Sequence, residues 1–258
     1  MERKNSIDQA LAEKDRFMDA LPIISAYLDM KYKSINVEGI DTIPSGPAMF
    51  VANHLRFDDS LIAASVYANY MKRPIRLGAK SEYFEGGGIN DKGRLGWPIQ
   101  KFVELTQQIP VYREDNRKGA ISLAKDIKYR FEIGESVLLH AEGTRSPDGR
   151  LNSFRKGATA FAIKYGVPIV PVSFSYDDGR FYQRTTVDLE FGRPLNPQDY
   201  GMEFKHHRLI PDGLVDALAP RVMKQSERVA AITEIIEQRI AVMSGQERSG
   251  LLIDPYNR

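Results

Sequence analysis

The stretch that decides the fold is Ala48-Met49-Phe50-Val51-Ala52, followed directly by Asn53-His54-Leu55-Arg56-Phe57-Asp58-Asp59. An uninterrupted apolar run of this length predicts a buried strand of an α/β sheet. The apolar segment 61–70 follows at once and predicts a helix. Ligands of open α/β sheets bind just beyond the carboxyl ends of the strands. A histidine and two aspartates are therefore expected at a functional site.

The composition is that of an ordinary folded protein and argues against several classes. The 258 residues are 42% hydrophobic and 27% charged, and a net charge of +2 is too small to indicate nucleic-acid binding. Zero cysteines exclude disulfides, thiolate zinc sites and a cysteine nucleophile. No apolar run approaches the roughly 20 residues of a membrane-spanning helix, and the first residues lack an apolar signal core. We therefore expect a cytoplasmic protein, with any membrane contact peripheral at the inner membrane surface.

Segments typical of strands and helices alternate over residues 34–176, which predicts an α/β fold with a largely parallel central sheet flanked by helices. We expect an N-terminal helical segment at 1–33, an α/β core at 34–192, and a C-terminal helical extension of the same domain at 193–258. Pro22 is expected to break the first helix or to start a second one. The N-terminal segment is amphipathic, which fits either packing on the core or contact with a membrane surface.

His54 is a candidate general base. Asp59 lies five residues after it, and a carboxylate on one imidazole nitrogen fixes the tautomer, so that the other nitrogen can take a proton from a hydroxyl group. The alternative is a surface histidine beside a helix cap, with Asp58 or Asp59 accepting hydrogen bonds from N–H groups at the helix start.

The turn Glu142-Gly143-Thr144-Arg145-Ser146 follows a predicted strand and is a candidate anion site. Arginine presents a planar fork that suits phosphate, and a turn can direct main-chain N–H groups at the same anion. Arg113, Arg155 and Lys156 are placed to add positive charge. The alternative is a tight turn with surface charges. Beside a hydroxyl-activating base, an anion site indicates a substrate with both an alcohol and a phosphate. The sequence shows no set of metal ligands.

Four blocks of the sequence resemble the signatures of the glycerolipid acyltransferases, the superfamily of lysophosphatidate and glycerol-3-phosphate acyltransferases. They occur in the family's order and at similar spacing within residues 34–192. One His-x4-Asp motif occurs easily by chance, whereas four ordered blocks are specific. The blocks are His54 to Asp59, Ile109-Pro110-Val111-Tyr112-Arg113, Glu142 to Ser146, and Val167-Pro168-Ile169-Val170-Pro171-Val172.

The resemblance implies direct transfer of a fatty acyl group from a thioester of coenzyme A or acyl carrier protein to a hydroxyl group, with no cofactor. His54 would be the general base and Asp59 its orienting carboxylate, which leaves Asp58 as a helix-start residue. Lys80 matches a lysine that recurs in the family. The substrate-binding residues expected from the turn and the resemblance together are Lys80, Arg113, Glu142, Gly143, Thr144, Arg145 and Lys156.

The sequence departs from the family pattern beside the expected acceptor site. Family members usually have Phe-Pro before the glutamate, where this chain has His140-Ala141. We expect the acceptor to be 1-acylglycerol-3-phosphate, for phospholipid synthesis. Glycerol-3-phosphate or another polar or glycolipid alcohol is the alternative acceptor. A lipid-binding protein without turnover and a thioesterase that activates water are the alternatives to acyl transfer.

Overall fold

The computed structural model describes residues 16–85, 96–112, 116–146, 148–177, 184–199 and 224–248. Its α-helices are α1 (Phe17–Lys31), α2 (Asp59–Met71), α3 (Gly96–Leu105), α4 (Asn116–Glu132), α5 (Gly157–Tyr165) and α6 (Gln225–Ser244). Its strands are β1 (Ser34–Glu38), β2 (Met49–Ala52), β3 (Ile75–Lys80), β4 (Ile109–Val111), β5 (Ser136–His140), β6 (Ile169–Asp177) and β7 (Thr186–Phe191). Short 3-10 helices lie at Ile40–Thr42 and Ser81–Glu85.

The seven strands form one sheet in the order β1-β7-β6-β2-β5-β3-β4. Every neighbouring pair is parallel except β6 and β7, which are antiparallel. The prediction of a largely parallel α/β sheet is therefore confirmed. Because β2, β5, β3 and β4 run in one direction, their carboxyl ends meet at one edge of the sheet, where ligands of such folds bind.

Strand β2 lies between β5 and β6, and its side chains enter both layers of the core. Phe50 and Ala52 pack in a cluster with buried residues of α1 and α2. Met49 and Val51 face the other layer, which α4, α5 and α6 cover. All four residues are buried, as expected for a central parallel strand with helices on both faces. No helix in the described parts of the chain is long and apolar enough to cross a membrane.

Helix α1 runs through Pro22 without a break, so the prediction that Pro22 would end or start a helix is wrong. Proline inside a helix costs about 3 kcal/mol because it lacks an N–H group and crowds the preceding turn. The buried stripe of α1 extends on both sides of Pro22, and each such side chain contributes roughly 1.5–3 kcal/mol when buried. Packing on the sheet therefore outweighs the cost. The stripe consists of Phe17, Leu21, Ile24 and Leu28.

Candidate active site

Asn53 fixes the position of the loop that connects β2 to α2. Its side chain is fully buried; Nδ2 donates a hydrogen bond to the Phe174 carbonyl at 2.9 Å, and Oδ1 accepts one from the Phe174 N–H at 2.8 Å. Nδ2 also donates to Gln246 Oε1 at 2.6 Å. The loop is therefore attached to β6 at the residue before His54.

His54 and Asp59 form the predicted pair. Nδ1 of His54 lies 3.0 Å from Asp59 Oδ2, which also accepts hydrogen bonds from the main-chain N–H groups of Leu55 at 2.6 Å and Arg56 at 2.8 Å. Burial opposes ionisation of Asp59, but the hydrogen bonds from His54, from Tyr176 and from the Arg56 main chain hold its pKa below the ordinary value. An ionised Asp59 requires the proton of neutral His54 on Nδ1, which leaves Nε2 free to accept one.

Tyr176, at the carboxyl end of β6, supports Asp59 from the other side. Its hydroxyl donates a hydrogen bond to Asp59 Oδ1, and the Arg56 guanidinium lies 4.1 Å from the centre of its ring. Burial and the negative charge of Asp59 raise the pKa of Tyr176, so the hydroxyl keeps its proton and remains a donor. Sequence reasoning missed Tyr176, although its place at the end of a parallel strand was a usable signal.

Asp58 is the residue before α2, as predicted, but its side chain does not cap the helix. The carboxylate is 1% exposed and accepts hydrogen bonds from Lys31 Nζ and the Tyr32 hydroxyl, both at 2.7 Å. Burial and the charge of Asp58 raise the pKa of Tyr32. Asp58 thus attaches α1 to the start of α2, whereas Asp59 holds His54.

Glu142 stabilises the main chain of the site. Its Oε1 accepts a hydrogen bond from the His54 N–H at 2.7 Å, and Oε2 accepts one from the Asn152 N–H at 2.9 Å. Burial raises the pKa of Glu142, although these two hydrogen bonds oppose the rise. Glu142 is not among the residues that line the cavity beside His54. Its expected contact with the acceptor therefore stays a prediction, and its observed contacts orient the loop that carries His54.

A cavity of about 540 Å³ opens beside His54. Its size is that of pockets that bind small organic ligands. Apolar side chains from the loop before α2 and from α2, α3, α4 and α5 form much of its wall, and they suit an acyl chain. These side chains are Phe57, Leu61, Phe102, Val103, Leu123 and Phe161.

Three cations line the same cavity: Lys80, Arg145 and Arg155. Within the described ranges, none of the three forms an ion pair with a carboxylate. Gly143 and Thr144, which the sequence predicted as substrate-binding residues, are also in the wall. Gly143 has φ +73°, and a Cβ there would lie 2.6 Å from Arg155 Nε, so glycine permits both the turn and the position of the guanidinium.

Two other cations were predicted to bind substrate, Lys156 and Arg113. Lys156 is exposed and lies outside the cavity wall, and the neighbouring residue Arg155 takes that place. Arg113 follows β4 but lies outside the described residues. Among the described residues, there is also no cluster of His, Cys, Asp and Glu that could hold a metal ion.

Ser60 and His140 also line the cavity, and sequence reasoning assigned a role to neither. The His140 ring stacks on that of His54, with 3.9 Å between ring centres and 18° between planes. His140 Nδ1 lies 2.6 Å from the Asn53 carbonyl oxygen, and Nε2 lies 2.7 Å from Ser60 Oγ. Burial and the neighbouring His54 lower the pKa of His140 to about 3. The His140-Ala141 departure from the family pattern was the signal for this pair.

Comparisons with known proteins found similar sequences and a similar fold. A family model described as Acyltransferase matches residues 34–175. A 1-acyl-sn-glycerol-3-phosphate acyltransferase of Arabidopsis thaliana chloroplasts is 33% identical over 144 residues, which cover 55% of this chain and 36% of that protein. The 1-acyl-sn-glycerol-3-phosphate acyltransferase of Pseudomonas aeruginosa is 24% identical over 172 residues, covering 64% of this chain and 60% of that protein.

Among solved structures, the crystal structure of the 1-acyl-sn-glycerophosphate acyltransferase of Thermotoga maritima has a similar fold. Its TM-score is 0.54 at 21% sequence identity, and the match covers 91% of this chain and 82% of that one. The matches to the two curated relatives span less than two thirds of each relative's own length, namely 36% and 60%.

Proposed function

The chain belongs to the acyltransferase family, and on that basis we propose that it transfers a fatty acyl group from a thioester to the hydroxyl of 1-acylglycerol-3-phosphate. One observation carries the proposal: His54, which Asp59 holds through Nδ1, lines one cavity together with three cations that have no carboxylate partner in the described chain. A base beside an anion site suits an acceptor that has a hydroxyl and a phosphate. The relatives named above carry the name of this activity.

The proposed reaction is a direct transfer with His54 as general base. The acceptor hydroxyl gives its proton to His54 Nε2 while its oxygen attacks the thioester carbonyl carbon. A carbon–oxygen bond forms, the carbon–sulfur bond breaks, and the thiolate takes the proton back from His54. Proton transfer by a positioned base typically contributes about 10²–10⁴ in rate. Asp59 holds the tautomer this step needs.

The remaining parts of the proposal concern the substrates. The acceptor phosphate would bind to Lys80, Arg145 and Arg155. A guanidinium group can pair with phosphate through two parallel hydrogen bonds, and the lysine ammonium attracts it as a compact positive charge. The donor would be acyl-CoA or acyl carrier protein, with the acyl chain against the apolar wall. No cofactor enters the proposed step, because base, nucleophile and leaving group are all supplied by His54 and the substrates.

Thiol release by purified protein tests the chemistry. With acyl-CoA and 1-acylglycerol-3-phosphate, we expect His54→Ala to lower kcat by at least about 100-fold. Arg145→Gln and Arg155→Gln should each raise KM for the acceptor by about tenfold or more. Arg150→Gln is the matched control, because Arg150 is exposed and not part of the cavity wall. Equal rates for wild type and His54→Ala would overturn the mechanism.

Mass spectrometry of the products then tests the acceptor. A single new ester on 1-acylglycerol-3-phosphate supports the proposal, and faster turnover of glycerol-3-phosphate or a glycolipid contradicts it. Thiol release that does not depend on any acceptor would indicate a thioesterase. Lipid that is retained without turnover would indicate a lipid-binding protein.

We also propose that the protein acts in the cytoplasm and contacts the inner membrane surface peripherally through α1. Ile23 and Met30 on this helix are 74% and 70% exposed, and Tyr27 lies between them on the same face. The Arg16 N–H donates a hydrogen bond to the Leu105 carbonyl at 3.3 Å, so α1 begins beside the end of α3, which lines the cavity. An acceptor lipid could therefore enter from the bilayer next to this helix.

Co-sedimentation with vesicles of phosphatidylethanolamine and phosphatidylglycerol tests this contact. A double substitution of Ile23→Glu and Met30→Glu should lower the bound fraction by about tenfold, because it places charge against the acyl boundary. Val242→Glu is the control, since Val242 is 84% exposed on α6, on the opposite face of the sheet. Equal losses in both variants, or none in either, would contradict the assignment.

A further inference from the structure

Ser60 and His140 form a hydrogen-bonded pair that the proposed proton transfer does not use. Ser60 is the second residue of α2, and His140 is the last residue of β5. Both line the cavity, and the His140 ring is stacked on that of His54. The pair thus lies directly beside the reacting groups.

The hydrogen bonds of the pair determine where its protons are. The Asn53 carbonyl oxygen can only accept, so His140 Nδ1, 2.6 Å away, carries a proton. Burial and the nearby His54 lower the pKa of His140 to about 3, so the ring is neutral near pH 7 and Nε2 has no proton. Ser60 Oγ, 2.7 Å from Nε2, must then donate its only proton to His140. Ser60 Oγ can therefore only accept hydrogen bonds from a molecule in the cavity.

This distribution of protons argues against a covalent role for Ser60. Serine needs a base that takes its proton, and an efficient base has a pKa near the working pH. The low pKa of His140 makes it a poor base at neutral pH. The pair is suited to binding rather than to nucleophilic attack.

We infer that Ser60 Oγ binds a hydrogen-bond donor of the substrate next to the reacting atoms, and that His140 is the positioning residue that keeps Ser60 an acceptor. This inference rests on the proposed function. A fully ionised phosphate, an ester and a thioester offer only acceptors, and the attacking hydroxyl gives its proton to His54. The donors that remain near the reacting atoms are the amide N–H next to the thioester in the pantetheine arm, which coenzyme A and acyl carrier protein share, and a second hydroxyl on an acceptor such as glycerol-3-phosphate. 1-Acylglycerol-3-phosphate has no hydroxyl besides the one that reacts.

Two pairs of substrates distinguish these sources. In the first pair, an acyl thioester of N-acetylcysteamine is compared with the thioester of 2-mercaptoethyl acetate, in which an ester oxygen replaces the amide N–H. In the second pair, glycerol-3-phosphate is compared with its 1-O-methyl ether, in which the second hydroxyl is blocked. For one pair, wild-type kcat/KM should favour the member with the donor by about 5- to 20-fold, because the other member leaves Ser60 Oγ without a partner.

Variants show whether Ser60 and His140 cause this preference. In Ser60→Ala the ratio should fall to about one to two, since no oxygen is left to accept. His140→Phe keeps an aromatic ring at this position but removes Nε2. The Ser60 hydroxyl is then no longer held as an acceptor, so the ratio should fall as well. Ser65→Ala, in the same helix but outside the cavity wall, should keep the wild-type ratio.

Each outcome of the experiment decides something. A ratio that is unchanged in Ser60→Ala, even with lower overall rates, would overturn the inference while acyl transfer stands. The absence of any preference in wild type for both pairs would do the same. If Ser60→Ala loses the preference and His140→Phe keeps it, the role of His140 is wrong. If wild type releases no thiol with any substrate, the proposed function fails together with the inference.

Discussion

Replacing Asp59 should affect both the chemistry and the fold, because its carboxylate has two kinds of partner. It orients His54 through Nδ1, and it accepts hydrogen bonds from the Leu55 and Arg56 main chain and from the Tyr176 hydroxyl. Asp59→Ala leaves the Leu55 N–H, the Arg56 N–H and the Tyr176 hydroxyl without this acceptor in a buried region. Each of these donors that water does not reach should cost about 1–3 kcal/mol of unfolding free energy. We expect a loss of roughly 3–5 kcal/mol in unfolding free energy, and a fall in kcat/KM of about 10²–10⁴.

Asp58→Ala is the matched comparison, because Asp58 is equally buried and adjacent. It loses the hydrogen bond from the Tyr32 hydroxyl, worth about 1–3 kcal/mol, while Lys31 is 39% exposed and can be solvated. The variant also removes a buried oxygen, Asp58 Oδ1, that has no partner among the described residues. We therefore expect a stability loss below about 2 kcal/mol and a change in kcat/KM within about fivefold.

Urea unfolding and thiol release at 25 °C measure the two effects separately. Asp59→Asn sharpens the test, since an amide oxygen can still accept from the Leu55 and Arg56 N–H groups but carries no charge. This variant should recover part of the stability while kcat/KM stays at least about 100-fold below wild type. Comparable losses of activity in Asp58→Ala and Asp59→Ala, with both folded, would refute the assignment of Asp59 as the orienting carboxylate.

Three further predictions follow from other contacts. The lowered pKa of His140, about 3 against an ordinary 6.5, means that below pH 6.5 the unfolded chain binds a proton that the folded chain does not. As pH is lowered from 7 to 4, the unfolding free energy of wild type should therefore decrease more steeply than that of His140→Phe, by up to about 1.4 kcal/mol per pH unit. Urea unfolding at several pH values in this range measures the difference. Gly143→Ala and Gly149→Ala should each lose about 1–2 kcal/mol because both have positive φ, +73° and +78°. Only Gly143→Ala should also raise KM for a phosphate acceptor, by about tenfold, because only its Cβ would displace Arg155. Arg76→Ala removes an ion-paired guanidinium that is 1% exposed near the start of β3, so urea unfolding should show a loss of about 3–5 kcal/mol with kcat/KM of the folded protein unchanged.

The parts of the fold that sequence predicted are those that local patterns determine. The run before Asn53 is buried on both sides, and such strands have a continuous apolar signature. The prediction at Pro22 failed because it used a local rule where contacts with the distant sheet decide the outcome. Propensity is a weak prior when tertiary packing is strong.

In the candidate site too, a local contact was predicted from the sequence and a contact between distant segments was not. The spacing of His54 and Asp59 is local, since the short loop before α2 brings the carboxylate back to the imidazole, and the structure shows this contact. The stacking of His140 on His54 depends instead on the pairing of β2 with β5, in which Ala52 lies beside His140. A strand register between segments far apart in the sequence cannot be derived from either segment alone.

The same register explains why a histidine at position 140 changes the chemistry of the cavity. A phenylalanine there would stack on His54 but would leave the Ser60 hydroxyl free to rotate and to donate. His140 Nε2 instead accepts a hydrogen bond from that hydroxyl, so the wall presents two acceptors, His54 Nε2 and Ser60 Oγ. A substrate that fills both must bring two donors, and only one of them can be the hydroxyl that reacts. Selection by the second donor would act on the binding and orientation of the substrate without altering the proton transfer to His54. The ratio of kcat/KM between two substrates that differ only in this donor therefore isolates the contribution of Ser60.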